Sequence, residues 1–240
     1  MKATRILRAQ VRCALTKSSR TPCVGWRVYD VMRFRKLVCV LALVLGSLTA
    51  QDQPAYTFGT TVVDLSGLEG RIYFLESGTQ KLPDFSHKHP VGSVYTTMLN
   101  VWPQPFSEGF PNISDRFEWF GIEYTGKFWA EIAGQYRFSL LSDDGARLTI
   151  DDKLVINNDG VHAALAASAA ATLSRGSHRI KVDYFQGPRF TVALVLAVAR
   201  PGEPWRLFNT NDFKPPNDPA EWKPGKISEI KPQTLSRSVK

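Results

Sequence analysis

The segment GQYRFSLLSDDGARLTIDDKLVINNDGVH, residues 134–162, alternates apolar and polar side chains between turns of Asp, Asn and Gly. Tyr136, Phe138 and Leu140 recur with a period of two, which predicts a strand that buries these three side chains and turns the intervening residues outward. The run IDDKLVI predicts two further strands joined by a tight Asp-Asp-Lys turn. This stretch therefore indicates antiparallel β-structure.

Similar short runs of β-branched and aromatic residues occur on both sides of this segment. They lie at 72–74, 94–99, 117–124, 180–185 and 190–198. Gly, Asn and Asp separate them at regular intervals, a pattern typical of antiparallel sandwiches and barrels. We therefore expect an all-β fold, an antiparallel β-sandwich or jelly-roll-like barrel, in a single domain over residues 68–200.

The alanine-rich run AALAASAAATL, residues 163–173, has the highest helix propensity in the chain. A helix of this length is marginal by itself, and alanines offer little apolar area with which to dock it. We therefore expect a loop that enters a strand near residues 170–173.

The chain becomes rich in proline after Arg200, where seven prolines fall within residues 201–240. Proline fixes one backbone dihedral and donates no hydrogen bond, so this composition predicts a semi-extended tail. Its aromatic residues are expected to hold the first half against the domain, and they are Trp205, Phe208 and Trp222.

The net charge of +8 arises in the N-terminal leader. Residues 1–36 contain ten Lys or Arg and one Asp, whereas the chain from Gln51 onward contains 20 basic and 21 acidic residues. The basic excess does not belong to the predicted domain, so nucleic acid is not an expected partner. Cys13, Cys23 and Cys39 all precede Gln51, which excludes thiol chemistry from the rest of the chain.

The leader MRFRKLVCVLALVLGSLTAQDQ begins at Met32 with basic residues, continues with an apolar run and ends in small residues. This order predicts a secretory signal peptide at 32–50, cleaved after Ala50. The apolar run is shorter than the ~20 residues that span a bilayer, and the alternative is an uncleaved anchor. Residues 1–31 are then a basic extension upstream of the true start. The processed chain, with a short lead-in at 51–67, is expected to be secreted, periplasmic or at the cell surface without a membrane span.

The sequence contains no motif that indicates an enzyme, so no catalytic residue is predicted. It has no nucleophile elbow, zinc-protease motif, phosphate-binding glycine loop or dinucleotide fingerprint. Asp143 and Asp144 are adjacent and cannot flank a glycosidic bond as the two carboxylates of a glycosidase do, about 5 to 10 Å apart. The histidines are expected to be surface or structural hydrogen-bonding residues, and they are His87, His89, His162 and His178.

Two interpretations of the Asp143-Asp144-Gly145 tripeptide remain open on spacing alone. A solvated hairpin turn is the simpler one, because Asp and Gly are favoured in turns. Two neighbouring carboxylates can also contribute oxygens to Ca²⁺, which takes about six to eight of them. The acidic spacing does not fit an EF-hand loop.

A series of motifs follows in one order along the chain: Gly134-x-Tyr136-x-Phe138, Ser142-Asp143-Asp144-Gly145, Leu148-x-Ile150-Asp151, Asp159-Gly160 with His162, Gly176-x-His178-x-Ile180-x-Val182 and Tyr184-Phe185-x-Gly187. This series resembles the protective-antigen domain family, the fourteen-kilodalton module named after anthrax protective antigen and also found in yeast flocculins and bacterial glycosidases. The resemblance covers roughly residues 68–198 and is strongest from Gly134 onward.

The resemblance implies a β-sandwich that binds carbohydrate. In lectin-active members of the family, a consecutive Asp pair joined by a cis peptide chelates calcium, and the calcium accepts sugar hydroxyls. This places the metal ligands at Asp143 and Asp144 and makes a glycan or polysaccharide the expected partner. A second loop, QGPRF, supplies weaker candidates in Gln186, the backbone of Gly187 and Arg189, whose guanidinium either bonds sugar or stays solvated.

The resemblance implies a structural role for the other three acids of the opening segment, Asp151, Asp152 and Asp159, because turns favour Asp for its local backbone hydrogen bonds. The alternative to glycan binding is a structural or protein-interaction domain of the cell envelope or extracellular matrix, with neither calcium nor sugar. Envelope proteins would then be its partners.

Overall fold

Two antiparallel β-sheets pack face to face in the computed structural model, which describes residues 57–189 and 191–236. The predicted all-β sandwich is thereby confirmed. The predicted signal peptide at 32–50 and the basic extension at 1–31 lie outside the described residues.

The strands are numbered in chain order. The first sheet has the order β2-β1-β4-β9-β6-β7. Its strands are β1 (Leu68–Phe74), β2 (Gly92–Thr96), β4 (Phe120–Ala130), β6 (Ala146–Ile150), β7 (Lys153–Asn158) and β9 (Gly176–Gln186). The second sheet has the order β11-β10-β5-β8-β12, and β3 also pairs with β10. Its strands are β3 (Asn100–Pro105), β5 (Gly134–Asp143), β8 (Leu165–Leu173), β10 (Thr191–Ala199), β11 (Arg206–Leu207) and β12 (Ile227–Ser236).

Helical structure within the described residues is limited to two 3₁₀ turns, Thr210–Asp212 and Pro219–Glu221. None of the helices there has the length and apolar character needed to cross a membrane.

The core lies between the two sheets and follows the period of two seen in the sequence. Tyr136, Phe138 and Leu140 of β5 are at most 1% exposed, as predicted. Val182 and Tyr184 of β9 face them from the other sheet and are fully buried in the same cluster. The alternation therefore decides which face of each strand enters the core.

A second, smaller apolar cluster covers part of the outer face of the first sheet. The connection between β1 and β2 folds back over this face, so that its apolar side chains meet one from β9. The members of this outer cluster are Tyr73, Leu75, Leu82, Phe85 and Phe185. Gly121 of β4 makes room for it, because a Cβ there would lie 2.6 Å from the Phe85 ring.

The alanine-rich run forms a complete strand, β8, from Leu165 to Leu173. The prediction of a loop up to residue 170 is therefore wrong. β8 pairs with β5 on one side and β12 on the other, and Ala167, Ala169 and Ala171 face the core. Pairing on both edges outweighs the helix propensity of alanine, which is a weak preference.

The proline-rich segment contains regular structure, so the prediction of a semi-extended tail is wrong for β11 and β12. β12 lies at the edge of its sheet, where Pro232 can be accommodated without a ladder hydrogen bond on its free side. Phe208 is fully buried and holds the segment to the domain as expected, whereas Trp205 and Trp222 remain about half exposed.

Candidate functional site

The acid pair lies at one end of the sandwich, where β5 passes into β6. Asp143 is the last residue of β5, and Asp144 and Gly145 connect it to Ala146, the first residue of β6. The peptide bond between Asp143 and Asp144 is cis. Two other connections meet this loop, the β7–β8 connection and the β9–β10 connection.

Asp144 joins these three loops through its carboxylate. Its Oδ1 accepts a hydrogen bond from the backbone N–H of His162 at 3.0 Å, and its Oδ2 accepts one from Gly187 at 2.7 Å. The side chain is buried, with the residue 4% exposed. Asp144 is therefore fixed in place by backbone groups from both neighbouring loops.

Asp143 lies beside it and is 8% exposed. Burial raises the pKa of Asp143 to about 6, and the negative charge of Asp144 adds to this effect. Burial also raises the pKa of Asp144, against the opposing effect of its two backbone hydrogen bonds. Neither carboxylate forms an ion pair with a Lys or Arg among residues 57–189 and 191–236. The two carboxylates are therefore held close together without a Lys or Arg partner there, and His162 is the nearby basic group that acts on the pKa of both, in the lowering direction.

Gly145 allows the loop to approach its neighbours closely. A Cβ at this position would lie 2.4 Å from the Phe185 ring and 2.8 Å from the backbone nitrogen of Gly160. Only glycine fits between these groups. The residue thereby brings the acid pair against both the Asn-Asn-Asp-Gly turn and the outer cluster.

Gln186 lies under the β9–β10 connection and is 1% exposed. Its Nε2 donates to the carbonyls of Pro188 and Thr191, both at 3.1 Å. The Tyr184 hydroxyl lies 2.6 Å from Gln186 Oε1 and 2.6 Å from the carbonyl oxygen of Asp143, and its single proton serves one of these acceptors at a time. The Gln186 side chain thus holds the connection in shape, and its direct contact with a ligand stays a prediction.

Arg189 lies at the tip of the same connection and forms a bidentate pair with Glu118. Its Nε and Nη2 are each 3.1 Å from a carboxylate oxygen of Glu118. The guanidinium also lies over the Phe117 ring, 5.5 Å from its centroid. The exposed arginine is therefore oriented by neighbours and is not simply solvated, with the predicted ligand-binding role still untested.

Sequence reasoning missed the part that Asn158 plays beside the acid pair. This residue is 4% exposed, and its Nδ2 donates to Ser142 Oγ and to the Leu165 carbonyl, both at 2.9 Å. It thereby holds the β7–β8 connection against β5. The alternation of inward- and outward-facing residues along β7 could have predicted that Asn158 is buried, because it is the next inward-facing residue after Ile156.

The other three acids of the opening segment take structural positions. Asp151 and Asp152 form the β6–β7 turn in the left-handed region, with φ of 47° and 63°. Asp151 bonds the backbone N–H of Arg179 at 2.9 Å, and its other oxygen is 2.7 Å from His178 Nδ1. Asp159 accepts a hydrogen bond from the Leu82 N–H at 2.7 Å. The structural roles agree with the prediction, but the hydrogen bonds of Asp151 and Asp159 join distant segments of the chain and are not the local backbone bonds that were expected.

The histidines also occupy positions of the predicted kinds. His87 and His89 are exposed in the β1–β2 connection. His178 is fully buried, and its Nε2 lies 2.9 Å from the Ser174 carbonyl. The ring nitrogens of His162 each lie 3.0 Å from a backbone carbonyl oxygen.

These features define a β-sandwich module that gathers its polar loops at one end. The chain belongs to the PA14 domain family, the protective-antigen module, whose profile matches residues 64–206. The resemblance seen in the sequence is thereby confirmed. A search of curated proteins gives no match.

Several solved structures are similar to this chain. The PA14 domain of the MpAFP antifreeze protein has a TM-score of 0.52 and 18% identity, with 68% of this chain and 94% of that chain covered. The PA14 sugar-binding domain from an RTX adhesin has a TM-score of 0.54 and 16% identity, with 62% and 97% covered. An anti-sigma factor domain-containing protein has a TM-score of 0.50 and 23% identity over 64% of this chain, and the match spans 48% of that protein. At these identities the likeness shows a shared fold.

Proposed function

We propose that this protein is a non-enzymatic carbohydrate-binding module in which Asp143 and Asp144 hold a calcium ion that assists glycan binding. One observation carries the proposal: two adjacent carboxylates are buried with no Lys or Arg partner in the described part of the chain. Buried charges in proteins are normally paired or bound to metal. A divalent cation would offset both the burial and the mutual repulsion of the pair.

The donors around the pair suit calcium. Both side chains offer oxygen, the donor type that Ca²⁺ prefers, and each carboxylate oxygen can accept more than one contact. Asp144 therefore retains acceptor capacity beyond its bonds to His162 and Gly187. The described residues contain no group of three or more His, Cys, Asp or Glu side chains placed to share a metal. Two carboxylates alone leave coordination positions for backbone carbonyls, water or the hydroxyls of a sugar.

The comparisons support a carbohydrate ligand. The chain belongs to the PA14 domain family, and the similar RTX adhesin domain is described as sugar-binding. A non-enzymatic role is supported by the position of the acids, because Asp143 and Asp144 lie on one loop. They cannot occupy the two opposed positions that glycoside hydrolysis requires.

The β9–β10 connection would form the other wall of this binding site. In the proposal, the Gly187 backbone orients Asp144, and Gln186 keeps the connection in shape from below. Arg189 would present the N–H groups not used by Glu118 to sugar hydroxyls. Arg189 could bind sugar in this way while its ion pair with Glu118 stays intact.

We further propose that the domain acts outside the cytoplasm, in a secreted, periplasmic or surface-bound form. The support is the basic, apolar and small-residue order of the leader at 32–50. Glycans of cell surfaces and matrices would be accessible there. N-terminal sequencing of the exported protein tests this, and a first residue of Gln51 is the expected result.

Calorimetry and thermal unfolding with calcium or chelator, followed by a glycan array under both conditions, test the calcium-assisted function. We expect calcium to raise the unfolding temperature and to be required for glycan retention at the acid pair. Asp152→Asn, in an exposed turn, is the matched control and should behave as the parent. If neither calcium nor any glycan binds, the protein-interaction alternative is favoured. Capture of an envelope protein that survives Asp143→Ala and Asp144→Ala would then support that alternative.

A further inference from the structure

A cleft opens where β4 and the start of β9 meet the segment between β11 and β12. Trp129 and Phe213 line it but are buried, so they close its floor. Its volume is about 470 Å³, within the range of small-molecule sites. We call it the lysine cleft. The side chains that a ligand can reach are the exposed ones at its rim, which are Leu65, Lys127, Lys214, Pro215 and Trp222.

The two lysines at the rim are not committed to carboxylates. The side chain of Lys127 forms no hydrogen bond or ion pair within residues 57–189 and 191–236. Hydrogen bonds from Ser66 lower the pKa of Asp64, and the charge of Lys214 adds a smaller effect in the same direction. Lys214 is nevertheless not within ion-pair distance of a carboxylate in the described part of the chain. Among the described residues, the lining of the cleft includes two ammonium groups and no Asp or Glu.

Trp222 gives the rim an apolar surface. Its side chain is 54% exposed, and its Nε1–H donates to the Pro216 carbonyl at 2.8 Å. Indole has no other hydrogen-bonding group, so the ring is held in place and has no free donor for a ligand. It offers apolar contact instead, and the less polar face of a sugar ring can pack against such a surface.

The main chain around the cleft is already hydrogen-bonded. Ser177, at the start of β9, donates its N–H to the Lys223 carbonyl and accepts the N–H of Gly225, both at 2.8 Å. Trp129 donates its N–H to the Phe213 carbonyl, also at 2.8 Å. A peptide that binds by adding a strand needs free main-chain groups, and these are not available at Ser177 or at the N–H of Trp129. The cleft is therefore suited to a ligand that side chains recognise.

A second cavity of about 460 Å³ adjoins the lysine cleft, and Lys127 and Trp222 line both. Its further charged lining residues are Asp151, Arg179 and Lys223. Asp151 and Arg179 each have an ion partner already, so Lys223 is the additional cation available to a ligand. A chain of acidic sugars longer than one ring could continue past Trp222 and still have its carboxylates beside ammonium groups.

The lysine cleft is remote from the acid pair. Ser177 lines the cleft at one end of β9, and Gln186 lies beside the acid pair at the other end of this strand. Gln186 follows Ser177 by nine residues, or about 30 Å of extended chain. One small ligand cannot reach both places, so the two sites can be tested separately.

We propose that the lysine cleft is a second carbohydrate site that takes acidic sugars, in which Lys127 and Lys214 pair with sugar carboxylates and Trp222 packs against a ring. The two uncommitted ammonium groups select an anion, and the concave shape favours an oligosaccharide over the flat surface of a membrane. The inference rests on the proposed function only for the class of ligand. It requires neither calcium nor Asp144.

Lys127→Gln and Lys214→Gln are the informative variants. Both side chains are exposed and lack a bonded partner in the described structure, so their loss should leave the fold intact. Lys81→Gln is the matched control, because Lys81 is equally an exposed lysine but lies in the β1–β2 connection and does not line the cleft. Unfolding temperatures of the three variants verify that each is folded.

The experiment follows the indole N–H signals of the ¹⁵N-labelled protein by NMR, in chelator and at low salt. The titrants are tetrasaccharides of galacturonate, glucuronate and mannuronate, and their neutral methyl esters. The signal that is missing in Trp222→Phe identifies Trp222. We expect at least one uronate to shift this signal saturably, its methyl ester to leave the signal unchanged, and added salt to weaken the binding.

The lysine variants should reduce the affinity for that uronate in a graded way. Each single variant should weaken binding about fivefold, as for loss of an exposed ion pair. The double variant should weaken it about twentyfold, since the two lysines contact different parts of the ligand. Lys81→Gln should bind as tightly as the parent.

The site would be overturned if no uronate moved the Trp222 signal, if the lysine variants bound as tightly as the parent, or if the methyl esters bound as tightly as the acids. Oligoglutamate or vesicles of phosphatidylglycerol that move this signal where uronates do not would replace the sugar with a peptide or a lipid.

Two further outcomes separate this inference from the proposed function. Uronate binding that Asp144→Asn abolishes and the lysine variants keep would place the sugar at the acid pair, which overturns the lysine cleft and leaves the proposed function standing. Uronate binding that persists in chelator and depends on Lys127 and Lys214, in a protein that takes up no calcium, would support the lysine cleft and refute the calcium site.

Discussion

The backbone N–H of Gly187 donates a 2.7 Å hydrogen bond to Asp144 Oδ2, which joins the β9–β10 connection to the β5–β6 loop. The opposite oxygen of the same carboxylate receives the N–H of His162. One side chain thus organises all three loops at this end of the sandwich. Asp144 therefore has a structural role that is distinct from any role as a metal ligand.

Asp144→Asn should separate these roles. The amide keeps one acceptor oxygen, and its NH₂ group would face a backbone N–H, so one buried donor loses its partner. We expect the free energy of unfolding in chelator to fall by about 1–3 kcal/mol, and calcium to give no stabilisation. Urea unfolding with and without calcium measures both effects. Equal stability of variant and parent in chelator would contradict the structural role.

Asp152→Asn is the control for this substitution. Asp152 has a positive φ of 63°, a conformation that Asn adopts readily, and its side chain pairs with Arg179 at the surface. An exposed pair contributes about 1 kcal/mol or less. The control should therefore lose little stability and keep its response to calcium.

Gly145→Ala should destabilise the domain through overpacking. The new Cβ would meet the Phe185 ring and the backbone of Gly160, at 2.4 and 2.8 Å. Backbone cannot move aside as a flexible side chain can, so we expect a loss of about 2–3 kcal/mol in unfolding free energy. Weaker calcium binding should accompany it, because the loop must shift. Chemical denaturation and calorimetry measure the two losses.

Gly78→Ala shows the cost of backbone conformation alone. Gly78 has a φ of +90° and open space where a Cβ would lie. Its substitution should cost about 1 kcal/mol. Gly145 does not have a positive φ, so this backbone cost does not apply to it, and unchanged stability of Gly145→Ala would show that the close contact is not the reason for glycine at position 145.

The sequence was sufficient to locate the acid pair but not to describe its surroundings. The pair belongs to a local motif, Ser-Asp-Asp-Gly, and its position at the end of an alternating strand can be predicted from the sequence. The hydrogen bonds from His162 and Gly187 cannot be predicted in this way, because they join residues 18 and 43 positions away from Asp144. For Asn158, the alternation along β7 could have predicted its inward-facing position, but not its hydrogen-bond partners.

Removal of β12 should destabilise the domain although the segment is rich in proline. Truncation after Lys226 would leave β8 as an unpaired edge and remove Ile227, which is 6% exposed. It would also remove the carbonyl that accepts from Lys153 Nζ at 2.8 Å. Loss of the buried isoleucine alone predicts at least about 2 kcal/mol of destabilisation.

Hydrogen exchange locates this effect, because the amides of β8 that face β12 should lose protection while those of β9 keep it. An exposed edge also favours association between chains, so the truncated protein should aggregate at lower concentration. Truncation after Ser236, which leaves β12 whole, is the control. Unchanged protection of β8 in the shorter chain would show that β12 does not stabilise it.

The same strand pair shows why part of the fold was not readable from the sequence. The alternation of Tyr136, Phe138 and Leu140 is a local signal and was interpreted correctly. β8 carries only small side chains, so its alternation is weak, and its conformation depends on two partners distant in the chain. β12 is a strand because an edge tolerates Pro232, and a sequence does not show which strand lies at an edge.

The stability of the calcium-free protein should depend on pH through Asp143. Burial, followed by the charge of Asp144, raises the pKa of Asp143 from 3.8 to about 6 in the folded chain. The protonated form is thus favoured by folding, and its contribution is complete below about pH 4 and is lost as the pH rises through about 6. The ionised form of Asp143 therefore destabilises the calcium-free folded protein at neutral pH.

Asp143→Asn removes this dependence and makes it measurable. In chelator, the variant should gain stability relative to the parent between about pH 4 and pH 7, by on the order of 1–2 kcal/mol. In calcium at about pH 7 the order should reverse, because the parent gains binding energy that the variant lacks. Urea unfolding at both pH values, with and without calcium, gives the four free energies. A difference between variant and parent that is the same at both pH values in chelator would show that Asp143 does not titrate in this range, and an unchanged order in calcium would show that it binds no metal.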